Sequence, residues 1–407
     1  MAQQTRVAKV GWYLLGPAFV ASVAYVDPGN VAANISAGAQ FGFLLVWVIV
    51  LANTMAGLVQ YLSAKLGLVT GRTLPEAVRD NTRTPTRIGY WIQAELVAIA
   101  TDLAEVVGGA IALRLLFGLP MLLGGVITGL VSLLLLVVQD RHGQRVFERV
   151  ITGLLLVIAI GFLASLFVNA PPADQVVEGL LPRFHGAESV LLATAMLGAT
   201  VMPHAVYLHS GLARDRHGHP PAGAARRLLL RATRWDVGIA MLIAGAVNMS
   251  MLLVAATNLQ GRADTDSIEG AHAAVRETLG PTVALFFAIG LLASGLASTS
   301  VGAYAGAMIM QGLLRKSFPL LVRRLVTLIP ALVVLGIGVD PSRALVISQV
   351  VLSFGIPFAL VPLVRLTSNP ALMGSDTNHR LTSVLGWSVA AVITILNVVL
   401  IYLTLTR

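Results

Sequence analysis

Apolar residues run through this chain in blocks broken by short polar segments, and no block carries the long strand alternation expected of a barrel. A bilayer core needs about 20 apolar residues per helix. Eleven blocks meet that length, near residues 11–38, 43–68, 88–116, 120–139, 147–169, 189–213, 236–257, 281–313, 321–339, 344–366 and 381–405. The pattern predicts an all-α polytopic membrane protein of eleven transmembrane helices, with residues 1–407 forming one transmembrane domain. The longest connectors, about 170–189 and 214–235, are rich in proline, glycine and charge. The first of them, and 260–280, have room for short surface helices.

Composition agrees with that reading and narrows it. Of 407 residues, 56% are hydrophobic and only 12% charged, far from a soluble globular balance. Absence of cysteine excludes disulfides, thiolate metal sites and cysteine nucleophiles. The net charge of +9 is spread through short loops, so it reads as topology and not as a nucleic-acid surface. With the amino terminus cytoplasmic, 22 of the 28 basic residues fall on the inner side, leaving Arg114, Arg183, Arg262, Arg276, Arg343 and Arg407 outside. Basic residues accumulate on the cytoplasmic side of membrane proteins, so the carboxyl terminus is expected outside the cell membrane. Arg6 and Lys9 lead straight into the first block with no small-residue cleavage site, and no removed leader is expected.

Two apolar blocks are interrupted by helix breakers. The first contains Ala24-Tyr-Val-Asp27-Pro28-Gly29-Asn30 and the sixth contains Ala199-Thr-Val-Met202-Pro203-His204. Proline has no amide hydrogen and crowds the carbonyl four residues back, so Pro28 is expected to free the carbonyl of Ala24 and Pro203 that of Ala199. A carboxylate, an amide oxygen and two backbone oxygens are cation ligands. Asp27 and Asn30 also suit a second role, as caps of a helix start. Met202 adds a soft thioether; as a ligand it disfavours calcium and magnesium and admits manganese, iron, cobalt or cadmium, and otherwise it fills an apolar gap. The breaks occupy corresponding places if blocks one to five (11–169) and six to ten (189–366) are repeats. An odd number of spans per repeat makes the second copy inverted, and 381–405 is then an extra helix.

Further polar residues inside the blocks extend the site. Asp102 and Glu105 are three apart on one helix face, a spacing that suits a proton relay or a pair held by Arg324. His204 and His209 diverge by about 140° and cannot face one ion, which leaves a proton-handling role to His204 and a structural one to His209. Arg323 and Arg324 open the ninth block, where basic residues by default anchor at the inner surface; neighbours diverge by about 100°, so only one of them is expected to be able to point inward. Gln349, like Asn53, Gln60 and Asn248, is an amide within a span, a common interhelical hydrogen-bonding group.

These residues resemble the Nramp family of proton-coupled divalent metal transporters, and its bacterial manganese transporters in particular. The resemblance rests on Asp27-Pro28-Gly29-Asn30, Gln93-Ala94-Glu95, Thr101-Asp102-Leu103-Ala104-Glu105, Gly198 to His204 with Tyr207-Leu208-His209, Arg323-Arg324, and Ser348 to Phe354 continuing to Pro357. It implies a LeuT-type fold and a metal held by Asp27, Asn30, Met202 and the carbonyls of Ala24 and Ala199, with Gln349 joining in some conformations. It also implies a proton route through Asp27, Asp102, Glu105 and Arg324, with His204 nearby. Metal and protons are then cargo, no cofactor is needed, and the implied surroundings are lipid. Val31 and Val106 stand where the family often has an aromatic, and Ala307 where it often has glutamine.

Two other classes fit less of the chain. A sodium-coupled symporter of organic solutes shares broken first and sixth helices. A membrane protease would need motifs that are missing: no HExxH occurs, and Gly336-Ile337-Gly338-Val339-Asp340 sets its acid one place late for an aspartyl protease.

Overall fold

The computed structural model describes residues 14–262, 265, 267–316 and 319–406. Arg6, Lys9, the start of the first block at 11–13 and Arg407 lie outside the described residues. Every described element is helical. The order is α1 (Pro17–Val23), α2 (Pro28–Phe41), α3 (Val46–Thr70), α4 (Leu74–Asp80), α5 (Thr84–Phe117), α6 (Met121–His142), α7 (Gln144–Val168), α8 (Ala173–Glu178), α9 (Gly186–Thr200) and α10 (Pro203–His217). It continues with α11 (Ala224–Asn258), α12 (Ile268–Leu279), α13 (Pro281–Leu314), α14 (Leu320–Gly336), α15 (Pro341–Thr367), α16 (Pro370–Met373) and α17 (Arg380–Leu405).

Helices stand at all eleven predicted blocks, with the first and sixth divided into α1/α2 and α9/α10. Among the described residues, eight helices are long and apolar enough to cross a membrane by length and composition; Pro17–Val26 and Met121–Val137 are shorter apolar helices. Leu96, Leu134, Ile160, Leu242 and Ile395 are exposed on the outer face of the bundle. An apolar exterior on this scale fits contact with lipid, where each helix bonds its own backbone.

Helix ends and apolar ends do not coincide. The block expected at 236–257 is part of a helix that begins at Ala224, and the connector expected over 214–235 shrinks to 218–223. The reason is that apolarity marks where the bilayer lies, whereas Ala, Arg and Leu at 224–235 are good helix formers in either medium. Short helices occupy both suspected surface segments, Ala173–Glu178 and Ile268–Leu279. The 74–80 helix has no counterpart among the predicted blocks. Its start is fixed by a capping box in which Thr73 receives the Glu76 amide and Glu76 receives that of Thr73.

The two breaks have the same local design. A tight 3-10 turn over Ala24–Val26 is followed by extended Asp27 (φ −69°, ψ 167°), after which α2 begins on Pro28. At the other break α9 stops at Thr200, Met202 is extended (φ −71°, ψ 118°), and α10 begins on Pro203. A residue before proline is pushed out of the helical region, and a first-turn proline forfeits an N–H that would have no helical partner anyway. Each proline therefore ends one helix and starts the next. Around the breaks, α13 packs along α5 and α7, α11 along α2 and α3, and α15 along α5 and α9. The breaks lie at the centre of this bundle, where Ala24, Asp27, Asn30, Ala199 and Met202 are all buried.

Candidate metal site and its polar connections

Asp27 caps α2. Its Oδ1 accepts the Asn30 amide N–H at 2.8 Å and the Asn30 side-chain Nδ2 at 2.7 Å. The same Nδ2 donates to the Ala199 carbonyl at 2.8 Å, across the two breaks. Asn30 Oδ1 lies 3.4 Å from the Thr200 hydroxyl, which donates to it. The freed Ala199 carbonyl is thus paired, by an amide N–H that sits between two oxygens of the predicted ligand set. A cation bound between those oxygens would replace that N–H, and Asn30 would turn its own oxygen inward.

Neighbouring carbonyls at the first break are taken from outside. Asn248 Nδ2 donates to the Tyr25 carbonyl at 2.8 Å and the Ser294 hydroxyl to that of Val26 at 2.5 Å. Ala24, one residue earlier, is fully buried in the turn. Met202 is fully buried at the second break, immediately before Pro203.

Gln349 reaches the site from α15. Its Nε2 lies 3.5 Å from Asp27 Oδ2, and its buried Oε1 has no hydrogen-bond partner among the described residues. A side chain on Gly29 would overlap the Gln349 amide, so only glycine lets that amide rest on the first turn of α2. An orphaned amide oxygen beside a carboxylate fits a cation ligand, since leaving it unpaired costs about 1–3 kcal/mol. Gly29→Ala is accordingly expected to weaken metal binding about 5- to 100-fold by displacing Gln349. Calorimetric titration of the purified variant with Mn2+ checks this.

The acids on α5 form a second polar zone. Asp102 pairs with Arg324, whose Nε also bonds the Ser132 hydroxyl at 3.0 Å. Glu105 is fully buried, rests against Gly302 of α13 and has Ser298 of the same helix as its hydroxyl neighbour. Gly108, one turn further on, lies against the Pro28 ring. One face of α5 therefore leads from the Arg324 pair to the first break.

The expectation that only one of Arg323 and Arg324 points inward is corrected: they are 8% and 1% exposed, and each has its own acid. Arg323 holds Glu95 through two bonds of 2.8 and 3.0 Å, with Trp91 Nε1 donating to Glu95 at 3.0 Å. Glu95 and Asp102 are seven apart and share a helix face. Two arginines leaving α14 at different angles can reach two turns of that face. Sequence reasoning assigns Glu95 no role; its seven-residue spacing from Asp102 is the signal that could have found it.

The histidines part company as their angle requires. His204 Nδ1 is 3.4 Å from the Thr101 hydroxyl on α5, whereas His209 Nδ1 is 2.7 Å from Gln60 Oε1 on α3, and Gln60 Nε2 donates to the Tyr25 hydroxyl. The Nε2 atoms of both histidines are buried and unpartnered among the described residues.

Fold and site together define a polytopic, all-helical membrane protein with a polar centre between two broken helices. The profile of the natural resistance-associated macrophage protein-like (Nramp) family matches residues 18–403, and the chain belongs to that family. It is 71% identical over 407 residues to the divalent metal cation transporter MntH of Mycobacterium tuberculosis, covering 100% of this chain and 95% of that one. Its structure is similar to the crystal structure of the Eremococcus coleocola manganese transporter in complex with an aromatic bis-isothiourea substituted compound, with a TM-score of 0.85 at 33% identity over 95% of this chain and 85% of that chain. The fold is shared with Mhp1, a nucleobase-cation-symport-1 transporter, with a TM-score of 0.61 at 18% identity over 96% and 93% of the two chains. That places the bundle in the LeuT-like class.

Proposed function

We propose that the protein carries divalent transition metal ions, manganese first and also iron, cobalt and cadmium, across the cell membrane together with protons. The observation that carries the reading is the convergence of Asp27, Asn30, the Ala199 carbonyl and Gln349 on one buried point between the two breaks. One carboxylate with mostly neutral donors binds loosely enough to release its ion. The protein is a carrier and not an enzyme, in keeping with its family.

In this reading all eleven helices cross the bilayer, with an amino terminus inside and a carboxyl terminus outside. The 22 to 6 division of basic residues supports that orientation. Residues 11–169 and 189–366 act as inverted repeats, and the like-built breaks at Pro28 and Pro203 support the pairing. Metal binds with the site open outward, and the bundle then rocks to open inward. A membrane potential supplies about 2.3 kcal/mol per charge per 100 mV, hence about 4.6 for a divalent ion. Inward metal movement is favourable before any proton contributes. Protons travel through Asp27, Asp102, Glu105 and Arg324, with His204 beside the route, and set direction more than they supply force.

Met202 gives this site its selectivity through a sulfur that hard cations avoid. Met202→Ala is expected to retain manganese transport and to gain calcium or magnesium uptake. Unchanged exclusion of both ions in proteoliposomes would remove the role. The fold shared with Mhp1 and with a Na+-coupled sialic acid symporter favours one second reading, a sodium-coupled symporter of organic solutes. Manganese uptake competed by iron, cadmium, zinc, calcium and magnesium, with internal pH recorded and sodium omitted, separates the two. Metal uptake that persists without sodium and acidifies the vesicle supports metal–proton transport.

A further inference from the structure

Helix α15 carries two internal prolines, Pro357 and Pro362. Each removes the N–H that would bond the carbonyl four residues earlier, which frees Ser353 and Phe358. Both carbonyls are met by side chains from other helices. Asn397 Nδ2 of α17 donates to the Ser353 carbonyl at 2.7 Å, and the Tyr207 hydroxyl of α10 donates to that of Phe358 at 3.1 Å. Asn397 and Tyr207 are buried, and Asn397 Oδ1 has no partner among the described residues. The Asn397 amide therefore serves the Ser353 carbonyl alone.

The stretch of α15 between these two bonds and Gln349 lies against both helix breaks. Gln349 covers Gly29 at the first, Ser353 covers Gly198 just before the second, and Gly355 lies against Pro203. Ser353 is one helical turn from Gln349, so a change of helix direction at Pro357 moves the amide directly. We propose that Asn397 and Tyr207 are positioning residues for metal transport: by bonding the two carbonyls freed by Pro357 and Pro362, they hold the proline-interrupted α15 so that Gln349 stays over Asp27. Tyr207 rides on the half-helix that starts at the second break, whereas Asn397 belongs to the helix outside both repeats. A shift of α10 then carries Phe358 with it while Ser353 stays with α17, which turns movement at the break into movement of Gln349.

The inference rests on the metal-transport reading, and one experiment keeps the two apart. Purified full-length protein is titrated with Mn2+ by calorimetry. Absence of binding to the unaltered protein would defeat that reading itself. Given binding, Asn397→Ala is expected to weaken it about 5- to 30-fold. Adding Pro357→Ala restores an amide hydrogen four residues after Ser353, lets the helix bond its own carbonyl, and is expected to recover most of the loss. Tyr207→Phe with and without Pro362→Ala gives the matching pair, and decides the matter where the Asn397 variants do not fold. In a Gln349→Ala background both single changes are expected to lose most of their effect. Normal binding by Asn397→Ala and Tyr207→Phe, or proline substitutions that merely add further loss, would overturn the proposal. A packing role alone gives no rescue by proline removal.

Discussion

Proteoliposomes carrying Asp27→Ala are expected to show neither manganese uptake nor metal-dependent acidification, with Mn2+ affinity lowered by roughly two orders of magnitude or more. The size of the effect follows from chemistry at the break. Asp27 is the one carboxylate in the proposed ligand set of Ala24, Asp27, Asn30, Ala199, Met202 and Gln349, so no other member of that set supplies a negative charge to a divalent ion. The residue has a second task, because its Oδ1 receives the Asn30 amide and starts α2. Alanine loses that cap as well, a cost of about 1 kcal/mol in stability. Asp27→Asn separates the tasks: asparagine caps as well as aspartate does, so the folded state should survive while transport is lost. Near-normal uptake by the asparagine variant would show that the charge is dispensable and would sink the metal assignment.

Arg324→Ala is expected to be the most destabilising single change among these polar residues. Its side chain is wholly buried against Asp102 and Ser132. Removing one member of a buried ion pair leaves the other uncompensated, typically at about 3–5 kcal/mol, whereas replacing both by apolar residues of similar volume can be nearly neutral. The pair of changes Arg324→Met and Asp102→Leu should therefore keep most of the thermal stability in detergent. It should not keep proton flow, because both charged groups of the proposed route are then missing. An internal pH dye and a manganese tracer in the same vesicles read the two cargoes separately. Metal-driven acidification at the normal rate in the double variant would remove Asp102 and Arg324 from the proton route.

How much of the fold and site is legible in the sequence depends on the range of each interaction. The breaks are legible because they are local: proline lacks an N–H, the residue before it is driven to an extended conformation, and both consequences follow from adjacent positions in the chain. The same holds for the long apolar blocks, because a run of about 20 apolar residues answers to the thickness of a bilayer and not to any partner. Helix ends such as Ala224 escape that pattern because propensity carries a helix past the point where apolarity stops. The arginines escape it for a related reason. Angular divergence on α14 forbids a shared partner, but only the packing of α5 reveals that Glu95 and Asp102 stand on one face ready for both.

Sequence by itself determined that this is a helical membrane protein, where two of its helices break, and which side chains stand at the breaks. Tertiary structure decided what those side chains meet. It brought Asn30 within 2.8 Å of the Ala199 carbonyl across 169 positions of sequence and set Gln349 over Gly29. It also supplied Asn397 and Tyr207 to carbonyls that prolines in another helix had freed. Local covalent geometry dictates which backbone groups are left unpaired, but only the packing of distant helices selects the partner that pairs them.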